Sequence, residues 1–321
     1  MSSGCYSGHL AAGQARLLLA RQPIAKIIAD PKTPDPLRDS LLHVEGARGH
    51  AASFGLHVGE QYTSYVPWPG DRIVTTVTAT RPHSVEIAPF SYPFLGDLPY
   101  KGFFDTQRAQ READELRARG LDVCVSGVAA YSTLGWLNDP VTTPMLRRGD
   151  GPLVETVIHE LVHANVFVES DPDFNESVAT FIAEEAALRY FDTPDSQHRE
   201  LQRIERKREL SGLLLQFRNE VVAFYASNPQ NDDRADDRRA LETTQRERLA
   251  KLDPDARIPL NDACLALHGT YASDLQHHAA VLESLDGDLA AFISRLHLAA
   301  RSDRPREVLG LANEATPRSS P

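Results

Sequence analysis

The chain has 321 residues, and 34 lysines and arginines against 45 aspartates and glutamates leave a net charge of −11 at neutral pH. That sign disfavours nucleic acid as a partner, because binding phosphates needs a concentrated basic patch. With 41% hydrophobic and 25% charged residues, the composition is that of an ordinary globular protein with enough chain to bury a large core, in one large domain or two.

At the N-terminus, Met1 to Cys5 lacks the basic and apolar regions of a signal peptide. Ser3-Gly4-Cys5 nevertheless matches a bacterial lipoprotein cleavage site whose hydrophobic leader has been removed; an ordinary small-residue start is the other reading. Leu10 to Ala20, with Leu17, Leu18 and Leu19, predicts a helix, and so does Pro36 to Phe54 with Asp35 as N-cap. The period then changes: Ile73 to Thr80 is β-branched and predicts a strand, with Ser84 to Ile87 as its pairing partner. Phe90 to Asp105, rich in aromatics, proline and glycine, reads as a packed loop. A helix follows from Asp105 or Thr106 to Arg119, stopped by Gly120, then a strand from Leu121 to Val128 and a looped or extended Ala130 to Trp136.

Leu153 to Phe167 is helical in spacing, Asp171-Pro172-Asp173 breaks it, and a second helix runs from Asn175 to Tyr190. Ser196 to Leu252 is long, charged and helical, with a hairpin tip expected over Asn228 to Asp237. Helices are expected again over Asn261 to His278 and Asp286 to Ala300, and Ser302 to Pro321 reads as a loose tail. No apolar run reaches the roughly 18 to 20 residues of a spanning helix. Cys5, Cys124 and Cys264 are odd in number and far apart, so Cys124 and Cys264 read as small buried hydrophobes rather than a disulfide framework.

The string that carries chemistry is His159-Glu160-Leu161-Val162-His163. Two histidines at i and i+4 on a helix share a face and can reach one zinc ion, and the intervening glutamate sits where it can act as general base. This is the zincin arrangement. A metzincin continuation would need Gly at 166 and His at 169, where the chain has Val166 and Glu169. The third ligand is therefore sought in Glu176, opening the next helix, with Glu169 as fallback; small residues at Ser177 and Ala179 let that helix approach closely. Thr180, one turn further, is placed to hold the ligand in position. The expected site is one Zn2+ on His159, His163 and Glu176 with water in the open position. Zinc would acidify that water toward a pKa of about 7, and Glu160 would accept its proton and deliver it to the leaving amine. Tyr131 and Tyr271 are candidates to stabilise the oxyanion, and Gly127 to Trp136 is the candidate edge strand for the substrate backbone.

These residues give the chain a resemblance. Together with Ser3-Gly4-Cys5-Tyr6, Gly13-Gln14, Pro23-Ile24, Tyr62-Thr63-Ser64-Tyr65, the Phe94 to Phe104 loop, Ala130 to Trp136 and Phe174-Asn175-Glu176-Ser177, the motif resembles a bacterial family of zinc aminopeptidases grouped with the Glu-liganded zincins. The resemblance implies zinc on His159, His163 and Glu176, Glu160 as base, and export with a lipid anchor at Cys5. It therefore points to the cell envelope or periplasm if a leader has been removed, and to the cytoplasm otherwise. Similar sequences often carry cysteines where this chain has Ser91 and Asp97. Aminopeptidase specificity comes from the family name alone, since the Gly-x-Met-Glu-Asn string of other Glu-liganded aminopeptidases is absent from the chain.

The fold expected is α+β and predominantly helical: a zincin-like catalytic region over 1–195 with a small mixed or antiparallel sheet, a helical C-terminal region over 196–301 closing the cleft, and a flexible tail over 302–321. The function expected is zinc-dependent hydrolysis of a peptide or protein substrate. Two alternatives are a catalytically weak zincin-like module that binds peptides or proteins, and a metal-stabilised interaction protein built on the charged helices. Oligomeric state is left open.

Overall fold

The computed structural model describes residues 3–92, 96–130, 138–169, 171–227, 234–254, 257–267 and 274–311. It opens with helix α1 (Ser3–Leu19), strand β1 (Gln22–Pro23) and helices α2 (Ile24–Ala29) and α3 (Asp35–Ser53). Pro34, not Asp35, occupies the α3 cap position; Asp35 instead lies in the first turn, where its charge suits the helix dipole. The strand region follows: β2 (Ser64–Val66), β3 (Val74–Thr80), β4 (Phe90–Tyr92), β5 (Gly96–Leu98) and β6 (Lys101–Phe103), then α4 (Thr106–Ala118), β7 (Asp122–Val128) and β8 (Val141–Thr142). The rest is helical: α5 (Thr143–Leu146), α6 (Asp150–Asn165), α7 (Pro172–Tyr190), α8 (Pro194–Ser227), α9 (Arg234–Leu252), α10 (Asp262–Ala266), α11 (Leu275–Glu283), α12 (Leu289–Ala299) and α13 (Pro305–Val308). The class is α+β, predominantly helical, as expected. No helix among the described residues is long and apolar enough to cross a membrane.

The strands form small sheets. β3 lies between β6 and β7, antiparallel to both, with Thr76 opposite Gly102 on one side and Ser126 on the other. Every residue of β3 is buried, because Val77 and Ala79 pack with Ala109, Ala113 and Leu116 of α4 while α10 also packs against the sheet. β1, β2 and β8 form a mixed sheet, antiparallel then parallel. The aromatic stretch read as a packed loop thus contains β4, β5 and β6, each too short to show an alternation in the sequence. In the β4–β5 hairpin Ser91 stands opposite Asp97 and donates a 2.6 Å hydrogen bond to it, so the pair of positions singled out by the resemblance is cross-strand neighbours. Ser84 to Ile87 contributes only a bridge between Ile87 and Thr80.

Three further expectations are corrected. Cys124 on β7 and Cys264 on α10 are buried as expected but form a disulfide across 140 positions of sequence. The junction is prepared by polar contacts: Asn261 donates to Asp122 Oδ1 and to the Val123 carbonyl, both at 2.9 Å, and the Ala263 amide donates to Asp122 Oδ2. The helix expected over Asn261 to His278 is instead α10 and α11, and Asp274, just before α11, has φ of 66°. In addition, part of the stretch read as a tail is packed: Leu309 and Leu311 are buried in the main core. Arg306 donates to both Asp171 oxygens at 2.7 and 2.9 Å and to Asp274 at 3.0 Å. Of the stretch Asn228 to Asp237 expected as a hairpin tip, 234–237 belong to α9 and 228–233 lie outside the described residues, as do 312–321.

Candidate metal centre

α6 is a helix because Leu153, Val154, Val157, Ile158, Leu161 and Val162, all buried, recur on one face at helical spacing. Gly149 supplies the positive φ of 91° that starts it. At its end Asn165 exchanges hydrogen bonds with the His57 backbone, accepting from His57 N at 2.7 Å and donating to His57 O at 2.8 Å. α7 starts on Asp171, which accepts from the Phe174 amide, followed by Pro172 in the first turn. Buried Asn175 locks this start by bonding both the amide and the carbonyl of Val168 at 2.8 Å. Small residues at Ala179 and Ala183, both fully buried, let α7 lie close against α6, whereas the Ser177 hydroxyl faces α11, 3.1 Å from His278 Nε2.

These constraints bring three donors together. His159 Nε2 and His163 Nε2 are 3.0 Å apart, and the two Glu176 oxygens stand 3.4 Å from His159 Nε2 and 3.5 Å from His163 Nε2. The two Glu176 contacts end on different oxygens, and one ligand atom from each of the three side chains lies within 4.8 Å of the others. That group is compact enough to close on one tetrahedral ion, whose ligand atoms at about 2.0–2.1 Å stand roughly 3.3 Å apart. His159, His163 and Glu176 are the group of metal-competent side chains found among the described residues. His163 is buried, while His159 and Glu176 keep partial exposure on one side, which leaves a route for a further ligand. Glu169 is exposed and outside the group. Thr180 is buried but makes no hydrogen bond to Glu176, whose oxygens turn to the two imidazoles.

The charges agree with the geometry. Burial pushes the Glu176 carboxyl up, but hydrogen bonds to and charge interactions with His159 and His163 outweigh it and bring the pKa down to about 2. Burial pushes His163 down, yet its bond to Glu176 and the charges of Glu176 and Glu160 raise it overall. Glu160 itself is half-buried, beside the triangle rather than in it.

Tyr131 and Tyr271, the tyrosines named from the sequence, lie outside the described residues, as does most of the Ala130 to Trp136 segment. Two other tyrosines feel the site. Tyr100, half-exposed in the turn between β5 and β6, is raised in pKa by burial and then by the charges of Glu176 and Glu160. Tyr62, 2% exposed and with a left-handed φ of 58°, is raised by burial, then by Glu160 and Asp139. The sequence reading missed both, and a half-exposed aromatic in a Pro-Tyr turn was the signal available for Tyr100.

The fold and the centre together define an α+β protein with a three-donor, metal-competent site on two adjacent helices and a carboxylate beside it. The chain belongs to the family described as "Putative aminopeptidase", whose model matches residues 5–308. No curated protein and no solved structure matches the chain.

Proposed function

We propose that the protein is a zinc-dependent peptidase, with His159, His163 and Glu176 holding one zinc ion and Glu160 as general base. The observation that carries this reading is the convergence of three donors, the two imidazole nitrogens 3.0 Å apart and each facing one Glu176 oxygen at 3.4 or 3.5 Å, with a further glutamate on the helix of the histidines. Two imidazoles and a carboxylate suit zinc, and three protein donors with a fourth position open are the pattern of catalytic rather than structural zinc. When bound, zinc supplies Lewis acidity toward a carbonyl and a water acidified to near neutrality.

The chain's own residues do the rest. Glu160 takes the proton released by the attacking water onto its carboxylate and passes it to the leaving amine nitrogen as the peptide bond breaks. Tyr100, which feels the charges of Glu176 and Glu160, is the candidate to donate its phenolic hydrogen to the oxyanion, with Tyr131 and Tyr271 as the others. β7 is an edge strand among the described residues, which supports the Gly127 to Trp136 stretch as the strand that receives an extended peptide. The family description supports removal of N-terminal residues as the mode of cleavage. Residence in the cell envelope is supported by the buried disulfide, a bond that persists in oxidising compartments, while a lipid on Cys5 rests on the Ser3-Gly4-Cys5 string alone.

The test is hydrolysis of a peptide library, with free and blocked amino termini, by wild type and Glu160→Gln. Zinc-dependent turnover that Glu160→Gln abolishes while retaining zinc supports the reading. Zinc bound without turnover of any peptide would leave a zincin-like binding module instead.

A further inference from the structure

One to two turns away from the three donors, α6, α7 and α8 meet in a buried cluster of charge. Glu155 on α6 precedes His159 by one turn, about 6 Å along the axis, and Glu184 on α7 follows Glu176 by two turns, about 12 Å. Both carboxylates are withdrawn from water, with 13% of the Glu155 side chain and 1% of the Glu184 side chain exposed. Two buried acids on adjacent helices need cations, and α8 supplies them. Lys207 Nζ bonds Glu155 Oε1 and stands 3.0 Å from Glu184 Oε1. Arg203 reaches Glu155 at 2.5 Å and Glu200 at 2.6 Å, and Arg208 Nε donates to Glu184 at 2.7 Å. Of the three cations, Arg203 touches α6 and α8, Arg208 touches α7, and Lys207 alone joins the helix of the histidines to the helix of Glu176.

This matters because of what else lies between the two helices. Small α7 side chains such as Ala179 and Ala183 lie in one core with the larger apolar residues of α6, a packing that excludes water but makes no directional contacts of its own. Directional ionic contacts specify register where apolar packing does not. A shift of about 1 Å along either axis would take the Glu176 oxygens out of the donor triangle, a misplacement of the size that degrades preorganised sites. An ammonium bonded to one carboxylate from each helix opposes that shift directly.

We propose that Lys207 is a positioning residue for the metal centre: by bonding Glu155 and Glu184 at once, it sets the register of α6 against α7 and thereby the triangle of His159, His163 and Glu176. The inference rests on the proposed metal centre and adds a residue of α8 that touches none of the donors. Its consequence is that metal affinity depends on a cation outside the site.

The experiment is a zinc titration of the metal-free full chain against a competing chelator, with melting temperature recorded for every variant. Lys207→Met and Glu184→Gln should weaken zinc binding about tenfold or more, the size of effect that supporting groups have on metal affinity, and Lys207→Arg should restore it to within about threefold. Arg238→Met is the control: it breaks another buried ion pair, Arg238 with Asp262 at 3.0 Å, on elements that carry no donor. It should lower the melting temperature and leave zinc affinity unchanged. Wild-type affinity in both Lys207→Met and Glu184→Gln overturns the inference, and so does equal weakening by Arg238→Met, which would make the effect one of general stability. Absence of zinc binding by wild type overturns the metal reading itself, and this inference with it, so the two failures are distinguishable.

Discussion

Replacing Cys124 and Cys264 together by alanine tests the joint between the sheet and the C-terminal helices. The bridge closes a loop of 140 positions, for which the chain-entropy relation gives about 5 kcal/mol of stabilisation, with 2–4 kcal/mol more typical of measured bridges. The native junction should survive the replacement, because Asn261, Asp122 and the Ala263 amide keep their hydrogen bonds, so the loss falls mainly on the unfolded chain. Alanine is preferred to serine since both positions are buried and two added hydroxyls would bring a desolvation cost of their own. A chain of this length has an unfolding entropy of roughly 0.7 kcal/mol per kelvin, so 2–5 kcal/mol corresponds to a melting temperature lower by about 3–7 °C. Calorimetry should show that drop in the variant, and reductant should lower wild type by a similar amount while leaving the variant unmoved. Thiol titration of denatured, unreduced wild type prepared without lipidation should count one thiol of the three cysteines, that of Cys5. Three titratable thiols, or a variant that melts with wild type, would refute the reasoning.

In the metal-free protein, Glu176 at about 2 against an ordinary 4.5 is a depressed group. Its contribution, at most about 3 kcal/mol, is full above pH 4.5 and lost as pH falls through 2. The raised His163 reports the same interaction from the other side, full below pH 6.5 and lost as pH rises past its folded value. Urea unfolding of wild type and Glu176→Gln should therefore converge toward pH 2, and curves that stay parallel would refute the assignment. Gly151→Ala should cost about 1–3 kcal/mol, because its Cβ would lie 2.2 Å from Glu200 Oε2 and Glu200 is held by Arg203. Gly212→Ala, with nothing within 4 Å, should stabilise α8 by up to about 1 kcal/mol; equal effects in urea titration would show that the close contact at Gly151 is absent. Tyr100→Phe should lower kcat on peptide substrates by about 10²–10³ with zinc content and KM little changed, and full activity would move the oxyanion role to another tyrosine.

What the sequence made legible was local. His159 and His163 are one turn apart on a helix whose apolar face can be read residue by residue, and Glu176 lies in the second turn of the next helix, a short span away. Asn175 was visible as part of the Asn-Glu pair, but its bonds to Val168 depend on a turn geometry that no spacing encodes. The disulfide was illegible because its two cysteines meet only after the C-terminal region folds back on β7. The same non-locality hides the cluster of Glu155, Glu184 and Lys207, whose members read separately as ordinary charges on solvated helix faces. β4 to β6 escaped because three residues are too few to show an alternation. The packing of Leu309 and Leu311 escaped because their polar surroundings resemble a loose terminus.

The central claim is a metal ion on His159, His163 and Glu176, and the most direct measurement is the zinc content and affinity of the purified full chain beside His163→Ala and Glu176→Ala. One zinc per wild-type chain, lost or weakened at least about a hundredfold in both variants while the helical signal persists, is the result predicted. A wild-type chain that binds no zinc, or variants that keep it with unchanged affinity, would contradict the account.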